Sequence, residues 1–257
     1  LAQSGAAGTA DSLQVLEATH PSDHWLHDCY LRAKKAELAS GVPVLSIETI
    51  NALRNKQNAS RCLVTSIDDL VGLVMRSLND YQVYLQGDTP AVVDLWNNSA
   101  PIRPKEEERF SDHVKRYLEL KIVSHVVVNR EVEIRKKLFD DGSSGSRTDL
   151  WIQAFDEQGQ ALTLCIEVKC NWNVSANTAI QDQLVAKYMS GGCATAGILL
   201  LGWFECSGWE ATDNRMSKST QVWPDISSAQ ADLSAQAMAA TAAGKLVKSF
   251  VTDCGLR

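Results

Sequence analysis

The stretch that decides the fold is Arg147-Thr148-Asp149-Leu150-Trp151-Ile152-Gln153-Ala154-Phe155, the turn Asp156-Glu157-Gln158-Gly159-Gln160, and Ala161-Leu162-Thr163-Leu164-Cys165-Ile166-Glu167-Val168-Lys169. Two apolar runs flank a short polar connection, which predicts strands over 147–155 and 162–169 joined as a hairpin. Glu167 and Lys169 are two residues apart near the end of the second strand, so they point to the same face. Asp149 follows the Gly/Ser-rich segment 140–146 and opens the first strand, and hairpin pairing brings it close to both. Two carboxylates and an ammonium then converge at one end of a buried sheet.

Burying that set without a ligand is costly. A divalent cation relieves the repulsion between the carboxylates. Mg²⁺, with Mn²⁺ able to substitute, takes oxygen ligands from one or two acids together with waters and phosphate. Asp149 and Glu167 are therefore candidate metal ligands. Lys169 is placed to orient or deprotonate an attacking water, or to stabilise charge developing on a phosphate. An acid-x-Lys tripeptide alone more often marks a solvated strand face, where an ion pair contributes only ~0–1 kcal/mol. The buried flanks of this one, and Asp149 at hairpin distance, favour the site.

Outward from the hairpin, residues 126–134 are rich in β-branched side chains and predict a preceding strand. Residues 106–120 predict a helix with Phe110, His113 or Val114, Tyr117 and Leu118 inward. After the hairpin come a helix over 178–189, a buried strand over 197–204 and turns around Trp209. An Ala-rich helix then ends at Gly244, and an edge strand closes the chain over 245–253. Helix, three strands, helix, strand is a mixed α/β (α+β) layer, not a series of βαβ units.

Upstream, 65–85 opens with a hydroxyl followed by Asp68 and Asp69 and continues with apolar residues along one helical face. Residues 20–38, and a stretch opened by Ser46 or Glu48, also have helical spacing. Asn97-Asn98-Ser99-Ala100-Pro101 and Pro104 have linker composition. The expected organisation is a flexible lead-in at 1–19, a helical domain or the end of a helical array at 20–100, and an α/β domain at 104–257.

Composition sets outer limits. Hydrophobic residues make up 45% of the 257 and charged residues 22%, enough for a sizeable core. No apolar run reaches the ~20 residues that span a bilayer. The seven cysteines are scattered, with no C-x-x-C pair, which argues against a disulfide framework and favours a cytoplasmic protein. The small, polar start has no secretory pattern, and a first residue of Leu suggests an excised fragment. A net charge of −6 argues mildly against nucleic acid, yet basic residues concentrate between 115 and 169, so a basic face is compatible with it.

Asp149 followed by Glu167-Val168-Lys169 resembles the PD-(D/E)xK, or restriction-endonuclease-like, nuclease motif. The surrounding elements are similar to that superfamily's αβββαβ core over residues 104–204, and Thr148 stands where the motif usually has Pro. The resemblance implies Mg²⁺-dependent hydrolysis of DNA, with RNA as a second substrate class and a catalytically inactive nucleic-acid-binding or assembly module as the competing reading. It also implies an acid on the first core helix, for which Glu107 is the choice, with a helix cap as its bland alternative. Gln183 is carried over from the helix after the motif. Tyr188 is set aside because five residues do not return to one α-helical stripe. Arg147 is a candidate phosphate ligand. A helical segment feeding such a domain looks similar to the C-terminal effector of a larger bacterial defence protein, acting with the rest of that chain or as a homo-oligomer. His113 and His125 read as core histidines, Trp172 as packing over the sheet end, and Arg130 with Glu131 as a structural pair.

Overall fold

A computed structural model describes residues 9–20, 24–41, 64–97, 99–122, 126–135, 146–156 and 158–257. The chain divides into two compact units, Leu1–Ser60 and Arg61–Arg257.

Within the first unit, helix α1 spans Thr9–Thr19 and α2 spans His24–Gly41. A flexible lead-in was expected to residue 19. The segment from Thr9 is helical instead, as its run of Ala, Leu, Gln and Glu favours. His27 Nδ1 lies 2.6 Å from Glu17 Oε1, tying the two helices together. The helix expected to open at Ser46 or Glu48 lies outside the described residues.

The second unit begins well before the boundary expected near residue 100. Helix α3 (Ile67–Gln86) is capped by Ser66, whose hydroxyl accepts the Asp69 amide. Its apolar stripe of Leu70, Val74, Leu78, Tyr81 and Leu85 is fully buried. That stripe shares one core with Phe110 and Leu118 of α4 (Glu107–Lys121) and with the sheet residues Leu164, Ile166 and Val168. The Asn/Pro-rich segment expected to be a linker is instead a pinned loop. The Asn97 amide donates to the Arg103 carbonyl (2.9 Å), and the Lys105 amide to the Leu95 carbonyl (2.8 Å). The fully buried Trp96 donates its Nε1 hydrogen to the Cys254 carbonyl (2.9 Å). Turn composition marked the loop correctly, but the buried Trp beside it makes it internal to one fold.

Five strands form one mixed sheet in sequence order: β1 (Val127–Arg135), β2 (Ser146–Phe155), β3 (Ala161–Cys170), β4 (Ala196–Trp203) and β5 (Leu246–Asp253). The β1–β2 and β2–β3 pairs are antiparallel, and β3–β4 and β4–β5 are parallel. The β2–β3 turn is built by Asp156, whose Oδ1 accepts the Gln158 and Gln160 amides, and by Gly159 at φ +75. Helices α3 and α4 cover one face. A π-helix (Ile180–Tyr188) and helix α6 (Ile226–Ala242) cover the other, and the short α5 (Asn214–Lys218) lies in the connection between β4 and α6. β4 is buried along its whole length, as its run of apolar residues between two covered faces requires.

Among the described residues, no helix is long and apolar enough to cross a membrane.

Candidate active site

The β2–β3 ladder runs from Phe155–Ala161 to Leu150–Ile166. One residue further the strands separate, and the Asp149 side chain takes over from the backbone: its Oδ2 accepts the Val168 amide at 2.8 Å. Thr148, 1% exposed, turns its hydroxyl to the Ile166 carbonyl (3.3 Å) and the Leu150 carbonyl (3.1 Å), anchoring the place where the strands part. Asp149 is thereby fixed beside Glu167.

Glu167 and Lys169 share the face of β3 that packs under the π-helix, whereas Ile166 and Val168 point into the core beneath α3 and α4. Lys169 Nζ donates to Glu167 Oε1 at 2.5 Å, and it lies 3.8 Å from Glu107 Oε1. Glu107, the first residue of α4, reaches the sheet end from the opposite layer. Its Oε2 accepts the Cys170 amide at 2.8 Å, and both its oxygens accept from Asn173 Nδ2 at 3.2 Å. Two helical layers thus meet at the C-terminal end of β3, with Lys169 between their acids.

Electrostatics follow from burial. The Glu167 side chain is only 3% exposed. Its pKa is pushed up to about 7, by burial first and by the Asp149 charge second, against the pull of Lys169 and Tyr188. Burial and Asp149 likewise raise Glu107, opposed by Lys169, the Cys170 amide and Asn173. Burial disfavours the charge on Lys169, but Glu167, Glu107 and Asp149 outweigh it and hold the pKa above the ordinary lysine range. Glu167 Oε2 is buried with no hydrogen-bond partner among the described residues.

These side chains suit a small divalent cation. With all groups ionised, three carboxylates against one ammonium leave two negative charges, every candidate donor is oxygen, and one buried carboxylate oxygen is unsatisfied. Among the described residues, no three His, Cys, Asp or Glu side chains close a ready-made cage. Mg²⁺ does not need one, because it binds through one or two carboxylates with waters and phosphate completing its shell.

Of the residues singled out in the sequence, Asp149, Glu167, Lys169 and Glu107 come together. Gln183 sits half-buried in the π-helix and makes no hydrogen bond to this cluster. The side chain of Arg147 lies outside the described ones, as do His125 and the side chain of Glu131. Arg130 pairs with Asp112 of α4.

The residue that α-helical spacing set aside is the one that reaches the site. Tyr188 is buried, and its hydroxyl acts on Glu167, favouring the charged carboxylate. The helix carrying it is wound as a π-helix, closed by bonds such as Met189 N–H to Leu184 O. No pattern in the sequence announces that winding.

Beside Glu107 opens a cavity of about 290 Å³, lined also by Trp172, Asn173, Val174 and Lys218. Trp172 packs on Phe204 (4.8 Å between centroids) and Trp209 (5.9 Å), and the Arg215 guanidinium covers its ring at 5.5 Å. Neither cation was singled out in the sequence, because α5 is distant from the motif along the chain. Asn171, 1% exposed, ties the two regions. Its Nδ2 donates to the Phe204 and Ser219 carbonyls, and its Oδ1 accepts the Phe204 amide.

Compared with protein-family models, curated proteins and solved structures, the chain matches none.

Proposed function

We propose that the Arg61–Arg257 unit is a Mg²⁺-dependent nuclease that hydrolyses phosphodiester bonds of DNA. The observation that carries this reading is the convergence of Glu107, Asp149, Glu167 and Lys169 at the end of β3, where surplus negative charge and an unsatisfied carboxylate oxygen are buried together. The order of elements around it supports a restriction-endonuclease-like core. A helix precedes three antiparallel strands, and a helical segment leads to a strand parallel to the third.

Of Asp149, Glu167 and Glu107, one or two would hold the ion directly, with waters and phosphate completing its shell. When bound, it would neutralise the acids and supply a water of lowered pKa. The chain's own groups do the rest. Lys169 orients the attacking water or donates to the phosphate oxygen on which charge develops. Tyr188 favours the charged form of Glu167 against the burial that opposes it. Lys218, which lines the neighbouring cavity, offers positive charge to the strand's phosphates, while Arg215 is paired with Asp213 and Glu106 and packs over Trp172. The buried acids repel DNA until a cation is present, which makes activity conditional on the metal.

The test is a substrate panel. Plasmid DNA, tRNA and single-stranded RNA are incubated with Mg²⁺, Mn²⁺ or EDTA, for the parent, Asp149→Ala and Lys169→Ala. The expected result is metal-dependent DNA cleavage by the parent alone. Cleavage confined to RNA would make it an RNA-directed nuclease. Binding without cleavage of any substrate would favour an inactive nuclease-fold module. Equal cutting by all three proteins would mean the site is elsewhere.

A further inference from the structure

On the solvent side of α3 and α4, away from the core they share, lies a cavity of about 1280 Å³. Its wall is aromatic. Tyr84, 45% exposed, stacks on His113 with ring planes 23° apart and centroids 6.2 Å apart, and Tyr117 completes the group at 5.2 Å from Tyr84. The rings are held from beneath, because the buried Tyr81 hydroxyl is hydrogen-bonded to His113 Nδ1 at 2.8 Å. Burial foremost, with the Arg116 and Lys105 charges opposing Asp94, keeps the His113 pKa below the ordinary histidine range, so its ring is a neutral plane at physiological pH.

The rim is cationic. Lys105, Arg109, Arg116 and Lys121 line it, opposed by Asp80 and Asp94, in a chain whose net charge is −6. Lys121 lies over the Tyr117 ring at 5.6 Å, and the Lys105 ammonium is fixed by the Asp94 carbonyl at 2.8 Å. Arg109 is 68% exposed, with only a 3.8 Å pairing to Asp112, and Arg116 is exposed. An acidic chain that gathers a surplus of cations around a pre-stacked, half-exposed aromatic wall has the two elements that recognise a phosphorylated base.

We propose that this groove binds a nucleotide unit, its base stacked on the Tyr84–His113 plane and its phosphates held by Arg109, Arg116 and Lys121. The same chemistry is offered by a free nucleotide and by a nucleotide within a single strand. None of these residues belongs to the carboxylate cluster, so the groove stands or falls independently of the nuclease reading.

The experiment is calorimetric titration of the full chain, in EDTA to prevent cleavage, with ATP, adenosine, tripolyphosphate and a short oligothymidylate. Parent protein is compared with Tyr84→Ala and Arg116→Glu, both at exposed positions where the fold tolerates change. ATP or the oligonucleotide is expected to bind at least tenfold more tightly than adenosine or tripolyphosphate. Each variant is expected to weaken that binding at least fivefold. Tighter binding of ATP identifies a free nucleotide as the ligand, and tighter binding of the oligonucleotide identifies a strand. The proposal is overturned if neither binds, if tripolyphosphate binds as tightly as ATP, or if both variants bind like the parent.

Discussion

Replacing Lys169 by methionine keeps much of the side chain's bulk and removes its charge. In the parent, Nζ lies 2.5 Å from Glu167 Oε1 and 3.8 Å from Glu107 Oε1, and the Lys169 and Glu167 side chains are only 10% and 3% exposed. Removing one partner of a buried pair costs about 3–5 kcal/mol, because the charge left behind is uncompensated. Protonation of Glu167 is its escape. Its pKa stands at about 7 in the folded protein against an ordinary 4.5. A carboxylate raised in this way contributes its full stability below the unfolded value and loses it as pH rises through the folded one. At ~1.4 kcal/mol per pH unit, the parent loses roughly 3 kcal/mol from this group across that window. Without Lys169 the folded pKa climbs further. The variant should therefore nearly match the parent in acid and fall ~3–5 kcal/mol below it in alkaline buffer. Urea unfolding followed by tryptophan fluorescence, at several pH values and in EDTA, measures both curves. Adding Mg²⁺ should recover part of the alkaline loss, because an ion bound only to the folded state stabilises it by mass action. Identical midpoints in alkaline buffer, or a loss independent of pH, would mean that Lys169 does not compensate the Glu167 charge.

Tyr188→Phe removes a hydroxyl that favours charged Glu167. The acid limb of the pH–rate profile should move to higher pH, lowering the rate several-fold at neutral pH and leaving the alkaline rate unchanged; an unmoved profile assigns Tyr188 to packing alone. Trp96→Ala deletes a fully buried ring and its bond to the Cys254 carbonyl. It should cost ~3–5 kcal/mol in urea unfolding, and a cost under ~1 would mean that the loop around Trp96 is not anchored in the core. At Gly202 an added Cβ would lie 2.8 Å from both Phe110 Cε1 and Phe204 Cε2. Gly202→Ala should therefore lose ~1–3 kcal/mol by overpacking, and an unchanged midpoint would mean that those rings yield freely.

The sheet was legible in the sequence because its signals are local. The polar turn at 156–160 and the alternating faces of β3 set the hairpin, and the apolar run of β4, broken only by glycines, marks a strand covered on both sides. Asp149, Glu167 and Lys169 were legible for the same reason, since a hairpin turns nearness along the chain into nearness in space. Glu107 needed more, because its reach around the sheet end to the Cys170 amide depends on where α4 docks. The start of the fold was not legible. Asn, Ser and Pro at 97–104 carry turn chemistry whether the turn joins two domains or lies within one. Only the burial of Trp96 against Cys254, 158 residues away, decides between them. Tyr188 was hidden because it was judged by its spacing from Gln183, which does not reach the cluster. Arg215 and Lys218 were hidden because a short helix far along the chain brings them to the site.

Metal-dependent cleavage at this cluster is tested by the rate at which supercoiled plasmid is cut in Mg²⁺, under single turnover, by the parent, Asp149→Asn and Lys169→Met, each checked for native circular dichroism. The parent should cut and EDTA should abolish the cutting, and each variant should be slower by at least about a hundredfold, the loss typical when a charge-stabilising group is removed from an active site. Parent cleavage that persists in EDTA, or folded variants that cut at the parent's rate, would contradict metal-dependent cleavage at this cluster.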